Sequence, residues 1–481
     1  MNKNSIVSLL ILFIYTFYSC SEKPLYFENA YVIENINVID PLEGLSEQMT
    51  LVIKENKISH LFKSKEIKLS TENTIYNGTD QFLIPGLWDA HIHFAFETIL
   101  AEAMPNLFLS YGVTSVRDTG GPIEFVLPFK THSLAHPKTT PRIMIAGPLV
   151  DGKYNVYDGS SDSFPLLSIQ NASLTVLEQQ VQGLIDKKVD FLKAYEMLSP
   201  EQFKRLAQMA QENDLKLTGH VPLSLDVITA SNLGLNSMEH LRNIELSMSK
   251  DFDVLLTERT LALKNSNNSS GSKLRTSLHQ SQRMRAVASI DPKRREEVLN
   301  TLATNETWQI PTMELYQTFA NKKYLNEEFQ YHFKVLPENV RSKWMKKINV
   351  TSSDLDPESL KYTDWSQKMV QQMHEKKIPF MAGTDTPIGY LVPGLSLHDE
   401  LIQLKRSGFS NLETLKAATF NPALYFGMED TLGRIKPGYE ADLVLLEKNP
   451  LESIENSRTI KAVIKSGKFM NRSYLDSLQV N

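Results

Sequence analysis

The chain has 481 residues, of which 41% are hydrophobic, so it is long enough to bury a large core. Its 51 Lys and Arg residues against 56 Asp and Glu residues leave a net charge of −5, which argues against nucleic acid as a partner. The single cysteine excludes a disulfide framework and any Cys-x-x-Cys zinc site, so a bound metal would need His and carboxylate-type ligands.

The amino-terminal residues have the pattern of an export signal. Lys3 supplies a positive charge, and the apolar run over 6–18 has 13 residues, whereas a membrane-spanning helix needs about 20. Cys20 directly follows the signal peptide predicted over 1–19, and this junction resembles that of bacterial lipoproteins. The resemblance implies acyl chains on Cys20 that anchor the protein to the cell envelope, periplasmic or at the cell surface. An uncleaved anchor with an incidental cysteine is the alternative.

Short β strands are predicted in the first part of the chain after the signal. The segments 30–33, 36–39, 49–53 and 57–61 are rich in β-branched residues and are separated by Asn, Asp, Pro and Gly. This composition is typical of a sheet.

From about residue 86, strand-like apolar runs alternate with helical segments. The runs lie at 114–116, 142–145, 191–195, 216–220, 308–311 and 379–383, and helices are predicted at 200–213 and 412–418. This alternation predicts a parallel sheet with both faces covered. Some eight such units fit an α/β fold of the enlarged (β/α)8 barrel type. Short strands return at 441–446 and 462–465, so β-rich ends enclose the barrel.

The segment 241–305 is an unusually long insertion between two of these strand–helix units. It contains a run of Asn, Ser and Gly at 265–272, which predicts a mobile loop. Such an insertion could be a lid over the site or a solvated elaboration of the surface.

The strongest local motif is His91-Ile92-His93. Residues two apart on a strand share a face, so the two imidazoles project together and can chelate a metal ion. A surface or core position is the alternative for such a pair.

Four more candidates lie at the ends of other strand-like runs. Lys193 lies within an apolar run, where an unpaired amine is costly to bury, although a salt bridge would also account for it. His220 and His240 each end a run and could be ligands or core histidines. Asp385 follows the run 379–383 and could be a ligand or a helix N-cap. The carboxyl ends of barrel strands meet at one face, which favours a common site.

The sequence resembles the amidohydrolase superfamily, in particular its imidazolonepropionase-like and prolidase-like secreted branch, over about residues 28–470. The motifs that carry the resemblance, besides the His-x-His pair, lie at 112–118, 394–401, 417–423 and 432–444. The resemblance implies a TIM barrel over 86–430 and a small β-sandwich domain built from 24–85 and 431–475.

The resemblance also implies a site for two divalent metal ions. The ligands expected for the more buried ion are His91, His93 and Asp385, and those expected for the more exposed ion are His220 and His240. Lys193, carboxylated by CO₂, would bridge the two ions. Zinc is the expected metal, since imidazole and carboxylate-like ligands suit it, with manganese, iron and cobalt as alternatives that the same ligand types allow.

The implied activity is hydrolysis of an amide-type C–N bond by a hydroxide shared between the metals. The substrate class is an N-acyl amino acid, a dipeptide or a cyclic amide. Asp385 would act as general base and then as general acid. Tyr195 shares a strand face with Lys193, so we expect it to contact the substrate, with a packing role as the alternative.

Three other functions compete with this interpretation. A mononuclear deaminase of the superfamily typically has a Glu near the fifth-strand histidine, and no acid occurs in 221–224 after His220. An organophosphate or lactone hydrolase would use the same residues, and a binding lipoprotein would need none of them. The expected partners are a small-molecule substrate and, through the lipid anchor only, a membrane, and a homo-oligomer is compatible with the sequence.

Overall fold

The computed structural model describes residues 24–265 and 270–479. The predicted signal peptide over 1–19 and Cys20 lie outside the described residues. Within these two ranges, every helix is too short or too polar to cross a membrane.

The described chain alternates strands and helices, which confirms the predicted α/β class. The strands are β1 (Ala30–Asp40), β2 (Gly44–Lys54), β3 (Lys57–Lys63), β4 (Thr74–Asn77), β5 (Phe82–Pro85), β6 (Leu87–Ile92), β7 (Val113–Asp118), β8 (Arg142–Ile145), β9 (Leu149–Asp151), β10 (Asp158–Ser161), β11 (Phe164–Leu166), β12 (Ser168–Gln170), β13 (Phe191–Ala194), β14 (Lys216–Gly219), β15 (Ser237–Glu239), β16 (Trp308–Ile310), β17 (Leu443–Leu446), β18 (Ile460–Lys465) and β19 (Lys468–Asn471).

The helices are α1 (Met104–Ser110), α2 (Ile123–Ala135), α3 (Leu174–Asp186), α4 (Pro200–Glu212), α5 (Val227–Asn232), α6 (Ile244–Met248), α7 (Phe252–Lys264), α8 (Gly271–Ala288), α9 (Pro292–Thr304), α10 (Met313–Ala320), α11 (Glu327–Tyr331), α12 (Glu338–Ile348), α13 (Pro357–Glu375), α14 (Leu395–Arg406), α15 (Asn411–Ala417), α16 (Phe420–Tyr425) and α17 (Arg472–Leu478).

One sheet joins the two ends of the described chain. Its strand order is β19-β18-β17-β5-β1-β2-β3, and β4 pairs with β1. The ends meet where β5 runs antiparallel to β17, with Leu83 opposite Leu445. Its apolar core draws on both ends, since Leu51, Leu83 and Ile464 belong to one buried hydrophobic cluster. The ends therefore form a composite sheet, while a two-layered sandwich stays a prediction.

Parallel sheets occupy the middle of the chain. One has the order β6-β7-β8 and the other the order β12-β9-β13-β14-β15-β16. Single parallel bridges, Gln309 to Phe380 and Ile92 to Thr386, link β16 and β6 to the segment 379–386. These pairings bring the carboxyl ends of the strands toward one face, where side chains from distant parts of the sequence can meet.

The strand predicted at 379–383 is reduced to the single bridge at Phe380. Pro379 has no backbone N–H to donate. Gly383 lies so close to the neighbouring strand that a Cβ there would be 2.8 Å from the Cβ of His91. This close approach replaces regular strand pairing with a tight contact beside the His-x-His motif.

The segment 241–305 is helical and contains α6 to α9. The prediction of a mobile loop at 265–272 is wrong for its last residues, 270–272. The Ser270 hydroxyl accepts the N–H of Lys273 and caps α8. Gly271 is buried, and a Cβ there would lie 1.9 Å from the Tyr154 carbonyl oxygen. Serine and glycine therefore serve here as a helix cap and a close contact, while residues 266–269 lie outside the described chain.

Candidate metal centre

Four buried histidines lie at the carboxyl ends of strands. His91 belongs to β6 and His93 follows it, while His220 follows β14 and His240 follows β15. None of the four is more than 5% exposed. Burial lowers the pKa of His91 and of His240 well below 6.5 and that of His220 to about 3. These three rings are therefore neutral near pH 7, as metal coordination requires.

The most compact group consists of His91, His93 and Asp385, whose ligand atoms lie within 4.8 Å of one another. Asp385 Oδ1 is 3.1 Å from His91 Nε2 and 3.2 Å from His93 Nε2. The two Nε2 atoms are 3.3 Å apart. Three buried donors that converge in this way form a plausible binding site for a divalent cation.

The other two histidines lie beside this group. The ring centroid of His240 is 4.8 Å from that of His91, and the ring centroid of His220 is 4.9 Å from that of His240. His240 Nε2 is 3.5 Å from Asp385 Oδ2. Its Nδ1 faces outward, 2.7 Å from Thr312 Oγ1. His220 Nδ1 likewise lies 2.7 Å from Glu196 Oε1.

His93 is oriented in the same way, with its Nδ1 3.0 Å from the Gly120 carbonyl oxygen. A ring whose outer Nδ1–H is held by an acceptor presents an unprotonated Nε2, which is how protein partners orient metal-binding imidazoles. The donor set thus fits metal ions in both its chemistry and its orientation.

Lys193 projects from β13 into the same region and is 1% exposed. Its Nζ forms a buried ion pair with Glu239 Oε2. Burial, followed by the nearby charge of Arg117, holds the pKa of Lys193 well below 10.5. A lowered pKa favours the neutral form of the amine, which is the nucleophilic one.

Arg117 is a buried ion-pair partner of Glu239. Its NH2 group donates to Glu239 Oε1 at 2.8 Å and its Nε to the Ala90 carbonyl at 2.5 Å. Its NH1 group lies 3.4 Å from Thr218 Oγ1 and 3.3 Å from Ser237 Oγ. The ion pair links β7 to β15, and the hydrogen bonds of Arg117 reach three other strands, β6, β14 and β15.

Glu196 is a buried acceptor that the sequence did not single out. Oε1 accepts from Arg275 Nε at 2.9 Å, and Oε2 lies 2.7 Å from His279 Nε2. Burial opposes ionisation, but Arg275 and His279 outweigh it and hold the pKa of Glu196 well below 4.5. Glu196 is therefore an anion that ties His220 to helix α8.

This contact corrects the expectation that His220 has no acid beside it. The acid comes from the loop after β13 rather than from 221–224, and it binds the outward Nδ1 of His220. The repeat Arg275, His279, Arg283 at i, i+4 and i+8 on α8 is the signal that could have been found. Only tertiary structure shows that this helix face is turned toward Glu196.

Tyr195 is 3% exposed, and its ring centroid lies 4.4 Å from that of His220. Burial raises the pKa of Tyr195 well above 10, so the phenol keeps its proton. Together with Tyr157 and Arg242 it lines a cavity beside Lys193 that we call the metal chamber. The chamber has about 30 Å³ of free volume, room for about two water molecules.

Several residues at this face have a left-handed backbone without being glycine. They are His240 (φ 56°), Leu241 (φ 52°), Asn243 (φ 65°), Thr312 (φ 49°) and Asp385 (φ 67°). Such conformations cost about 1–3 kcal/mol each and cluster at functional sites. Two of the five, His240 and Asp385, are expected metal ligands, and Thr312 lies against the Nδ1 of His240. The strained backbone therefore lies at the expected site.

The sequence profile of the amidohydrolase family matches residues 82–470 of the chain. Among curated proteins, ochratoxinase of Aspergillus niger is 42% identical over 82 residues, which are 17% of this chain and 16% of that protein. Adenine deaminase of Clostridium perfringens is 31% identical over 85 residues, 18% of this chain and 15% of that protein. The chain thus aligns with only a small part of either relative.

Solved structures are similar over nearly the whole chain. A Xaa-Pro dipeptidase with bound methionine in its active site has a TM-score of 0.67 at 18% identity, covering 92% of this chain and 100% of that one. The ochratoxinase of A. niger has a TM-score of 0.64 at 18% identity, covering 92% and 96%. At these identities the likeness establishes the fold.

Proposed function

The chain belongs to the amidohydrolase family, and on that premise we propose that it is a metal-dependent hydrolase of amide-type C–N bonds in small molecules. The observation that carries the proposal is a cluster of four buried histidines beside Asp385 and Lys193. Three of them, His91, His93 and His240, have Nε2 within 3.5 Å of the Asp385 carboxylate. N-acyl amino acids, dipeptides and cyclic amides are the proposed substrates. The named activities of ochratoxinase and the Xaa-Pro dipeptidase support this class.

We propose that the two parallel sheets and the segment 379–386 close into one (β/α)8 barrel over 86–430. The single bridges at Phe380 and Thr386 support closure between β16 and β6. The ends 24–85 and 431–475 would form the accompanying domain, of which the composite sheet is one layer.

Two divalent ions, with zinc as the proposed metal, would be held as the sequence resemblance implies. His91, His93 and Asp385 suit the more buried ion, and His220 with His240 suits the more exposed one. Lys193 would react as a neutral amine with CO₂, forming a carbamate with loss of one proton. The carbamate would supply anionic oxygen ligands for the ions, and the charge of Arg117 beside Glu239 would offset the added negative charge.

The metals, when bound, would activate water and polarise the substrate carbonyl. Asp385 would accept the proton of the attacking water and return it to the leaving amine. Tyr195 would contact the substrate across the metal chamber. Glu196 would keep the His220 ring in one tautomer throughout.

Deamination is the first competing function, and the partial match to an adenine deaminase favours it. The acid beside His220 is engaged by Arg275 and His279 on the outward side of the ring, where it does not face the metal chamber. That position favours an orienting role over proton transfer. Lactone or organophosphate hydrolysis and metal-free ligand binding remain outcomes of the experiment below.

Replacing Lys193 by Ala is expected to lower the metal content of the purified chain. With bicarbonate present during expression, elemental analysis should find about two divalent ions per parental chain and about one or fewer in K193A. Lys187→Ala, at an exposed lysine outside the site, is the matched control and should leave the content unchanged. A single ion unaffected by K193A would favour the deaminase, and no ion after zinc is offered would favour a binding protein.

We also propose that Cys20 carries a lipid anchor in the cell envelope. Cys20→Ser is expected to move the protein from the membrane fraction to the soluble fraction, because acyl chains contribute about 0.8 kcal/mol per buried CH₂. Fractionation followed by immunoblotting measures the change. A C20S protein that stays wholly with membranes would contradict lipidation.

A further inference from the structure

A larger cleft adjoins the metal chamber on the side of helix α8. It lies between α8, α10 and α13 and has a volume of about 400 Å³, within the range of small-molecule sites. His240, Arg242 and Arg275 line both cavities. A molecule with its reacting bond in the chamber would therefore extend into this cleft, which we call the arginine cleft.

Three guanidinium groups line the cleft. Arg242, Arg275 and Arg283 have side chains that are 16%, 13% and 23% exposed. Among the hydrogen bonds of the described residues, these three side chains make one, from Arg275 Nε to Glu196. Each guanidinium has five N–H donors, so most of these donors have no acceptor among the described protein residues.

The acids near the cleft leave Arg242 without a close partner. Glu196 is shared, 2.9 Å from Arg275 but 3.8 Å from Arg242. Glu245 faces Arg283 at 3.6 Å. Arg242 Nε is buried with no hydrogen-bond partner in the described chain.

Two further acids, Asp356 and Glu358, line the same cleft on α13. The carboxylate of Asp356 accepts the N–H groups of Glu358 and Ser359 as a helix cap. It is therefore engaged at the helix end, and the three arginines set the charge of the inner cleft.

Aromatic rings form the remaining wall. Tyr316 donates its hydroxyl to the carbonyl oxygen of His240, which places its ring beside the metal chamber. Tyr362 packs 5.9 Å from Tyr316 and under the Arg283 guanidinium, 4.3 Å from ring centroid to Cζ. Phe319 is 47% exposed although it lines the cleft, so one face of its ring is free for contact.

Resting on the proposed function, we infer that the substrate is an amide that carries a carboxylate and an aromatic group, with the carboxylate bound by Arg242. Arginine binds carboxylates through paired, charge-assisted hydrogen bonds. The aromatic group would pack on Phe319 and Tyr316. Because α8 belongs to the segment 241–305, this insertion supplies part of the specificity.

The test is binding of a probe that cannot be hydrolysed. The probes are N-benzenesulfonyl-L-phenylalanine and its primary amide, titrated calorimetrically into the metal-loaded full chain. Loss of a charged hydrogen bond costs about tenfold to a hundredfold in affinity. The acid should therefore bind at least about tenfold more tightly than the amide, and R242Q should abolish that preference.

The controls distinguish a specific contact between Arg242 and the carboxylate from a general effect of positive charge. R242K should restore part of the preference, and R285Q, on the same helix but paired with Glu258 at the surface, should leave it unchanged. F319A should weaken both probes alike. Equal binding of acid and amide by the parental chain, or the same loss in R285Q as in R242Q, would overturn the inference.

Two further outcomes are informative. In the first, inorganic phosphate displaces the acid at a lower concentration than acetate does. The site would then prefer a phosphate group to a carboxylate, which would overturn the inference. Acid-selective binding without hydrolysis of the matching N-benzoyl amino acid would contradict the proposed function while leaving the arginine cleft intact.

Discussion

Asp385→Asn is expected to lower kcat for amide hydrolysis by about 10²- to 10⁴-fold, the range attributed to general acid–base catalysis. Among the described residues, Asp385 is the carboxylate that lies close to all three of His91, His93 and His240. The asparagine has nearly the same shape but cannot accept and return a proton. Steady-state kinetics on metal-loaded protein, with bound metal measured in parallel, gives the effect.

The matched control for this variant is Asp364→Asn, an exposed aspartate on α13. It should keep parental kinetics, and both variants should keep the parental circular dichroism spectrum. Activity of D385N within about threefold of the parent, at equal metal content, would remove Asp385 from its proposed role.

Arg117→Ala is expected to lower the free energy of unfolding by about 3–5 kcal/mol, as when one partner of a buried ion pair is removed. Arg117 is fully buried and donates to acceptors on β6, β14 and β15. Its loss would leave Glu239 without its closest arginine and create a cavity between the rings of Phe191 and Tyr425. Denaturant unfolding followed by circular dichroism measures the change.

Arg285→Ala is the comparison for Arg117→Ala, because its ion pair with Glu258 is about half exposed. Exposed pairs contribute about 0–1 kcal/mol, so R285A should have little effect. Arg117→Lys should lie between the two, since lysine keeps the charge but loses the forked geometry. A loss for R117A no larger than that for R285A would contradict the account of this ion pair.

Strand ends could be predicted from the sequence because their signals are local. Short strand-like segments predicted around Lys193 and before His220 and His240 correspond to β13, β14 and β15. In a parallel sheet the carboxyl ends of these strands must converge. That rule alone brings Lys193, His220 and His240 to one face. The strand at 379–383 failed because proline and a close backbone approach suppress pairing there.

The supporting residues could not be predicted because their roles depend on long-range contacts. Glu196 lies two residues after the end of β13, and Glu239 is the last residue of β15. Nothing in either segment shows which side chain each glutamate would contact. Arg275 and His279, which contact Glu196, lie 79 and 83 residues after it in the sequence. The polar composition at 265–272 predicted mobility, whereas the contact with Tyr154 orders the start of α8.

The most direct test of the central claim is hydrolysis by the chain stripped of metal with a chelator and then titrated with zinc. Release of free amino acid from N-benzoyl-L-phenylalanine should be absent from the stripped protein. It should rise with added zinc and level off near two equivalents per chain, about the number a binuclear site holds. Hydrolysis that survives chelation, or zinc binding that restores ammonia release from a purine but no amide cleavage, would contradict the account.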